Sequence, residues 1–385
     1  SAFSSRRDSH MVARRVREAA RILARASPGP RARSRERRCA AGMARPRPAP
    51  ATVRGVRTLE IGPDDAGQRV DRFARKLLPS ATLGHVFKLL RKGRIRVNGR
   101  RAKPDQRLAV GDTVVLRMPD DQAQDLAERR RGRRSAPAAR SREALSVLYR
   151  DADVLAVDKP PMLLVQPGDD AREPSLDRMV LDLVGEGEAH TFHPALAHRI
   201  DRGTSGIVLF GLTAAGLRGL TEAFRRRQVT KRYLALVHGA PDEDELTIDL
   251  PLARDPSDER RGKRMKVSRG PDARRAISEV RVLRRGTGVT LLEVRPRTGR
   301  THQIRAHLRA VRLPIVGDPT YGIPDETARV RDEAGLWRQF LHAFRVELAH
   351  PVTGRPLTVT APLPDDLRRV LVGAGIDVAG QGTQW

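Results

Sequence analysis

Cysteine, acidic residues and long apolar runs are all scarce in this chain of 385 residues. The single cysteine, Cys39, excludes a disulfide framework and a cysteine-based zinc site, and it favours a reducing compartment. No apolar run reaches the length of about 18 residues that a membrane-spanning helix needs. We therefore expect no membrane partner.

The shortage of acidic residues leaves a large positive charge. Lysine and arginine number 74 against 46 acidic residues, which gives a net charge of +28. Residues 1–57 carry 16 arginines and three acidic residues, a net charge of +13, so +15 remains on the rest of the chain. A basic residue set against a phosphate releases condensed counterions, and we therefore expect a nucleic acid partner.

Residues 1–57 are rich in arginine, alanine, proline and serine and show no hydrophobic periodicity, so we expect this leader to be disordered. Three interpretations are open: an organellar transit peptide, an RNA-binding arm, or translation from a start codon placed too far upstream of Met11 or Met43. We favour the third.

Two amphipathic helices and a small hairpin sheet are predicted within residues 58–118. Apolar residues recur at helical spacing in 70–77 and 83–90, and Gly93 ends the second helix. Residues 95–100 form a strand entering an Asn-Gly hairpin, and 108–116 supply a further turn and strand.

This unit resembles the alpha-L (S4-like) RNA-binding domain, above all in residues 90–99 and in Gly111-Asp112. The alternative is a solvated basic helix face on an unrelated small domain. The resemblance implies that basic residues on the second helix and the hairpin bind RNA. The candidates are Lys88, Arg91, Lys92, Arg94 and Arg96.

A basic, flexible linker is predicted at 119–144, because this stretch has almost nothing to bury. Strands dominate the next domain, 145–370, with helices expected across 176–183, 217–224 and 301–311; residues 371–385 form a tail. The pattern favours an α+β domain with a large, mixed but mainly antiparallel sheet.

One acidic residue, Asp201, lies on a loop rich in glycine and serine that leads into the apolar strand 207–210. The segment reads His-Arg-Ile-Asp-Arg-Gly-Thr-Ser-Gly over 198–206. Such a loop can present a carboxylate rigidly, although most loop aspartates only bond backbone amides within a turn.

The segment 198–206 resembles the signature of RluA/RluC/RluD-type pseudouridine synthases. Further resemblances follow in the family's order, at Asp158-Lys159-Pro160-Pro161, 231–239, 297–308, 314–322 and Leu341-His342-Ala343. The resemblance implies that Asp201 is the nucleophile, that Arg305 pairs with it, and that Tyr233 stacks on the target uracil. Four residues complete the implied substrate site, with Arg300 reaching a phosphate and Ile304 packing on the base: Arg199, Ile304, Arg300 and His302.

The histidines do not have the spacing of a metal site. His302 and His307 are five residues apart, about 140° around a helix, whereas two zinc ligands on one helix need a spacing of four. We expect no metal and no cofactor. Two positions depart from the family's pattern, Arg202-Gly203 in place of a basic residue followed by a polar one, and Gln166 in place of a frequent histidine.

The resemblance implies an enzyme that isomerises uridines, with ribosomal RNA of the large subunit as its substrate and partner. The alternative is a catalytically silent RNA-binding assembly factor with the same fold. We expect a monomer in the bacterial cytoplasm, or in an organelle if the leader is a transit peptide.

Overall fold

The computed structural model describes residues 56–127 and 145–376, apart from 169, 171–172, 186, 188 and 259–263. Nearly all of the expected leader, most of the expected linker and the end of the expected tail lie outside these ranges. Within them, every helix is too short or too polar to cross a bilayer.

The first domain is a four-stranded antiparallel sheet covered by two helices. Its elements are β1 (Val56–Glu60), α1 (Val70–Leu77), α2 (Leu83–Arg91), β2 (Ile95–Val97), β3 (Arg100–Arg101) and β4 (Thr113–Arg117), with strand order β1-β4-β2-β3. The predicted Asn-Gly hairpin joins β2 to β3, and positive φ at both Asn98 and Gly99 matches a two-residue turn of this kind. Phe73, Val86 and Leu90 are buried between the helices and the sheet.

A third helix, α3 (Asp120–Ala127), follows this sheet, so the prediction that the linker begins at 119 is wrong for its first residues. Ala123 is buried in the core of the first domain and Leu126 packs against that core. These two apolar residues, three positions apart, were the sequence signal for a helix here. The arginine-rich segment that follows them made the whole stretch look like a linker.

The second domain is built on a ten-stranded sheet. Eight strands form its main path in the order β10-β13-β14-β9-β15-β8-β6-β5, with β16 added to β15 and β7 added to β8. Among the described strands of this sheet, only β15 and β8 pair in parallel, which confirms the expected antiparallel character. A separate two-stranded sheet joins β11 to β12. The strands are β5 (Ser146–Arg150), β6 (Val154–Lys159), β7 (Ala195–Leu196), β8 (Ser205–Gly211), β9 (Thr230–His238), β10 (Glu245–Asp249), β11 (Leu252–Arg254), β12 (Met265–Val267), β13 (Ile277–Arg285), β14 (Val289–Pro296), β15 (Leu341–Ala349) and β16 (Pro356–Thr360).

The central strands carry long apolar runs, such as 207–210 in β8 and 234–237 in β9, because both faces of the sheet are covered. Successive side chains of a strand point to opposite faces. On β8, Val208 and Phe210 accordingly join one apolar cluster while Ile207 and Leu209 join another.

The helices of the second domain are α4 (Leu176–Val184), α5 (Ala214–Arg225), α6 (Gln303–Ala310), α7 (Pro324–Ala334) and α8 (Asp365–Gly373). The first three match the predicted helices, whereas α7 and α8 were not predicted. Helix α7 has no fully buried side chain, and its contribution to the core is the partly buried packing of Val330 and Ala334. Helix α8 buries Leu371, and Ile376 beyond it is also in the core, so the prediction of a tail from 371 is wrong.

Direct hydrogen bonds connect the two domains. The buried carboxylate of Asp65 accepts bonds from the backbone amides of His190 and Thr191 and from the Thr191 hydroxyl. Gln68 donates to the same hydroxyl, and Asp64 accepts from the amide of Ala214 at the start of α5. The small domain is therefore fixed to the large one through a short acidic segment between β1 and α1.

Candidate active site

The site is centred on a β-turn that places Asp201 at its first position. The amide of Thr204 donates to the carbonyl of Asp201 at 3.0 Å, which closes the turn 201–204. Aspartate is favoured at the first position of such turns. The chain then enters β8 at Ser205, so the carboxylate lies at the end of a fully buried strand.

Gly206 is required by the close approach of β8 to β15. These strands pair in parallel, with His342 opposite Ser205 and Ala343 opposite Gly206. A Cβ at 206 would collide with the carbonyl oxygen of Ala343, and the φ of 111° suits glycine. The Thr-Ser-Gly part of the motif is thus explained by packing at the point where the two strands meet.

One arginine connects Asp201 to a second, more deeply buried carboxylate. Nη1 of Arg305 lies 3.2 Å from Oδ2 of Asp201, while Nε and Nη2 donate to the two oxygens of Asp318 at 2.7 and 2.8 Å. The exposed fractions of the Arg305 and Asp318 side chains are 6% and 0%, whereas that of Asp201 is 24%. Asp201 is therefore the one member of this trio that is open to a substrate.

The trio carries a net charge of −1 at neutral pH. Burial acts to lower the pKa of Arg305, but its bonds to Asp318 and its attraction to both carboxylates raise that pKa overall. Burial acts to raise the pKa of Asp318, and the bonds from Arg305 outweigh it and hold the pKa below the ordinary value of 3.8. Both groups remain charged, as a buried pair with this geometry requires.

Tyr233 lies on β9, next to β15, and is 9% exposed. Burial raises the pKa of its hydroxyl well above the ordinary value, and the charge of Asp201 raises it further. The phenol therefore stays neutral in any physiological buffer. Its ring forms part of the main apolar cluster, together with Ile304.

His302 lies beside the trio but outside the helix that was expected to carry it. It precedes α6 with a left-handed φ of 51°, so the helix predicted across 301–311 begins only at Gln303. Its Nδ1 is 3.2 Å from the hydroxyl of Tyr321, whose ring also lies 5.0 Å from the guanidinium carbon of Arg305. Burial lowers the pKa of His302, against the attraction of Asp201.

The remaining candidates are more dispersed. Ile304 is buried in α6, as is Leu308, whereas the side chain of Arg199 is exposed. Arg300 lines a separate open cleft of about 450 Å³ next to β11 and β12, and its Nε donates to the carbonyl of Arg275 at 3.2 Å. The structure thus brings Asp201, Arg305, Tyr233 and His302 together and leaves Arg300 at the margin.

Several motif histidines bond to the backbone or to buried hydroxyls. Nε2 of His198 accepts a hydrogen bond from the backbone amide of Leu209, and burial lowers the pKa of His198 to about 3. His307 contacts the hydroxyl of Ser278 and the carbonyl of Leu250. Their role in the motifs is to fix the loop and α6.

Two buried charges near the site lie in segments that the sequence comparison picked out, but neither was given a role from the sequence. Asp318 holds Arg305, and Lys159 donates to the carbonyls of Pro160, Leu163 and Arg202 from a fully buried position. Burial lowers the pKa of Lys159 to about 7, while its three carbonyl acceptors match the three donors of an ammonium group. A charged residue within an otherwise apolar segment was the available signal for both.

The basic candidates of the small domain divide into two groups. Lys88, Arg91, Lys92 and Arg94 are exposed. Arg96 instead donates to the carbonyls of Gly93 and Gly99 and so braces the hairpin.

Comparison with known proteins agrees with both halves of this geometry. The sequence profile of the RNA pseudouridylate synthase family matches residues 153–310, and that of the S4 domain matches 68–114. The ribosomal large subunit pseudouridine synthase D of Xanthomonas campestris is 34% identical over 316 residues, which cover 80% of this chain and 90% of that protein. The chain belongs to the RNA pseudouridylate synthase family. The resemblance inferred from the motifs is confirmed.

Other relatives of this synthase support the same assignment. The ribosomal large subunit pseudouridine synthase C of Escherichia coli K12 is 34% identical over 320 residues, 82% of this chain and 96% of that protein. An uncharacterized RNA pseudouridine synthase of Bacillus subtilis, YlyB, is 32% identical over 313 residues, 80% and 94% of the two chains.

Proposed function

We propose that this synthase converts uridine to pseudouridine in ribosomal RNA of the large subunit, with Asp201 as the catalytic nucleophile. The observation that carries the proposal is the trio of Asp201, Arg305 and Asp318, in which only Asp201 is open to a ligand. The substrate class is supported by the relatives named for that RNA, which align over most of this chain.

The reaction requires cleavage of the N1–C1′ bond of uridine, rotation of the uracil and formation of a C5–C1′ bond. C5 then loses its proton to the solvent and N1 gains one, so the product is an isomer of uridine. No electrons are transferred and no group is gained. The carboxylate of Asp201 either attacks C1′ or assists removal of a ribose proton once the glycosidic bond weakens, as carboxylates do for oxocarbenium-like charge in glycosidases. Uracil leaves as a delocalised anion, so a second acid is not needed.

Arg305 orients Asp201 and places a positive charge beside its carboxylate. A guanidinium held by a bidentate bond to Asp318 cannot rotate freely, and its remaining Nη1 is directed at Asp201. The ring of Tyr233 stacks on the uracil after the base leaves its helix, because an enzyme that acts on a base must extrude it. Ile304 packs on the base, and the apolar surroundings exclude water that would hydrolyse an intermediate.

The S4 domain supplies most of the affinity for RNA. Four exposed cations on α2 and after it contact phosphates, which is largely independent of base sequence. Phe87, 38% exposed on the same helix, offers an aromatic face to an unpaired base. Arg300 contacts a phosphate near the margin of the site.

The variant Asp201→Asn tests the proposal. It keeps the size of the side chain and removes the negative charge, so we expect pseudouridine formation to be lost while RNA affinity is retained. The assay is release of tritium from transcripts of large-subunit ribosomal RNA labelled at C5 of uridine, with affinity measured by filter binding. Asp244→Asn is the matched control, since this carboxylate is 76% exposed in a surface ion pair with Arg285.

Two results would contradict the proposal. Turnover by Asp201→Asn at the rate of the unmodified protein would remove Asp201 from the chemistry. Modification of small-subunit ribosomal RNA or transfer RNA transcripts, with none in large-subunit transcripts, would leave the enzyme class intact and reject the substrate. The cellular counterpart is a map of pseudouridines with and without the gene. We further propose that the protein acts as a monomer in the bacterial cytoplasm.

A further inference from the structure

Three buried side chains from other parts of the chain hold the turn that carries Asp201. Lys159 donates to the carbonyl of Arg202 at 3.0 Å, and Nε2 of Gln339 donates to the hydroxyl of Thr204 at 3.1 Å. Nη1 of Arg338 lies 3.4 Å from the carbonyl of Gly203. Successive residues of the turn are therefore each held from beneath by a different side chain.

Position 203 is glycine because the side chain of Gln339 occupies the space next to its Cα. Its φ is not positive, so the turn does not need glycine for its backbone conformation. A Cβ at this position would instead collide with Oε1 of Gln339. That oxygen is the movable end of a long side chain, so a residue larger than glycine would displace the carboxamide of Gln339 and would leave the backbone in place.

We propose that Gln339 is a positioning residue for Asp201, which acts through Thr204, and that Gly203 leaves the space in which its carboxamide lies. The proposal rests on the proposed function, because it assumes that Asp201 performs the chemistry. It also gives a physical reason for the departure from the family's pattern at position 203.

The geometry of the charge pair explains why this support matters for rate. Arg305 reaches Asp201 through a single contact of 3.2 Å, whereas it holds Asp318 through two shorter bonds. Arg305 is thus fixed to Asp318, and a small displacement of the turn breaks the contact with Asp201 alone. A misplacement of about 1 Å at a reacting group can cost roughly 100-fold in rate.

The test removes the Gln339–Thr204 bond from each side with little change of volume. Gln339→Met and Thr204→Val each remove one partner, and the double variant removes both. We expect each single variant to lower the single-turnover rate of pseudouridine formation about tenfold with no change in RNA affinity. The double variant should be no slower than the slower single variant, because partners in one interaction are not additive.

Conservative and compensating variants separate positioning from folding. Thr204→Ser keeps the hydroxyl and should retain the rate of the unmodified protein. Gly203→Ala should lower the rate of pseudouridine formation by displacing the carboxamide of Gln339. It should cause no further loss of rate when added to Gln339→Ala, because that variant already lacks the carboxamide. Gln228→Met, at an exposed position, is the control for the introduced methionine.

An unchanged rate in Gln339→Met, or rate losses that add in the double variant, would overturn the inference. So would a lowered melting temperature with an unchanged rate at temperatures where the variant is folded. The activity of the unmodified protein and of Asp201→Asn in the same assay tests the proposed function separately.

Discussion

Substitution of Asp318 by asparagine should weaken both the stability and the chemistry of the site, although this residue does not contact the substrate. The amide retains an oxygen that can accept the bonds which Oδ1 now takes from the backbone amides of Thr320 and Tyr321. It cannot accept both bonds from Arg305, because one of its terminal groups is a donor. The variant therefore removes the ion pair and spares the local turn.

The cost in stability follows from burial. At a side chain that is 0% exposed, one of the two bonds from Arg305 is lost and the other becomes a bond to a neutral acceptor, so Arg305 loses its main counter-charge. Breaking a buried pair in this way costs about 3–5 kcal/mol. We expect the lower end, about 3 kcal/mol, because Arg305 keeps Asp201, which corresponds to a fall in melting temperature of roughly 6–12 °C.

The cost in rate follows from charge. The trio of Asp201, Arg305 and Asp318 carries −1, and the substitution reduces this to zero, so Arg305 is left to neutralise Asp201 alone. We expect the single-turnover rate of tritium release to fall about 100-fold with RNA affinity unchanged. Asp332→Asn is the control, because its ion pair with Arg331 is exposed and should not affect either quantity.

The pH dependence of stability provides a second measurement. The pKa of Asp318 lies below its ordinary value of 3.8 in the folded protein. Its contribution is therefore complete above that value and is lost as pH falls through the lower, folded pKa. The difference in unfolding free energy between the unmodified protein and Asp318→Asn should be constant from pH 7 to about 5 and should shrink below about 4. A wild-type rate in Asp318→Asn, or a stability difference independent of pH, would refute this account.

Two further predictions concern the S4 domain. Replacement of Lys88, Arg91 or Lys92 by alanine should in each case lower the slope of log K for RNA binding against log salt by about 1. Arg96→Ala should instead destabilise the domain and leave that slope unchanged. Equal slopes for all four variants would contradict the distinction between the exposed cations and Arg96. Asp65→Ala should accelerate hydrogen exchange at the amides of His190 and Thr191, because these amides lose their acceptor. It should also increase the radius of gyration of the protein in solution. Hydrogen-exchange protection equal to that of the unmodified protein would show that this contact does not hold the domains together.

The sequence was sufficient for the parts of the fold that have strong local signals. The Asn98-Gly99 hairpin needs positive φ at both positions, and few other residue pairs provide it, so its location could be read directly. The buried strands around 207–210 and 233–237 were equally clear from their apolar runs. Helix α7 contributes only the partly buried Val330 and Ala334 to the core, and so short an apolar stripe gives little periodicity to detect.

The site was predicted less completely than the fold for a different reason. Asp201, Tyr233 and Arg305 could be named because motifs identify residue types. The position of His302 could not be predicted, because the helical pattern across 301–311 gives no sign that the backbone of the residue before α6 is in the left-handed conformation. The ring of His302 makes a hydrogen bond with Tyr321, 19 positions away along the chain, and no local pattern reveals that contact.

The supports of the nucleophile illustrate the limit of local inference. The turn at 201–204 is contacted by Lys159, Arg305 and Gln339, at separations of 43, 104 and 135 residues. Each of these side chains is buried, so each must satisfy its polar atoms within the protein, and the turn provides the acceptors. The cost of leaving those atoms unpaired thus couples folding of the sheet to placement of Asp201. A buried polar residue in an apolar segment is consequently the sequence signal by which such supports can be sought, although its partner becomes known only from the fold.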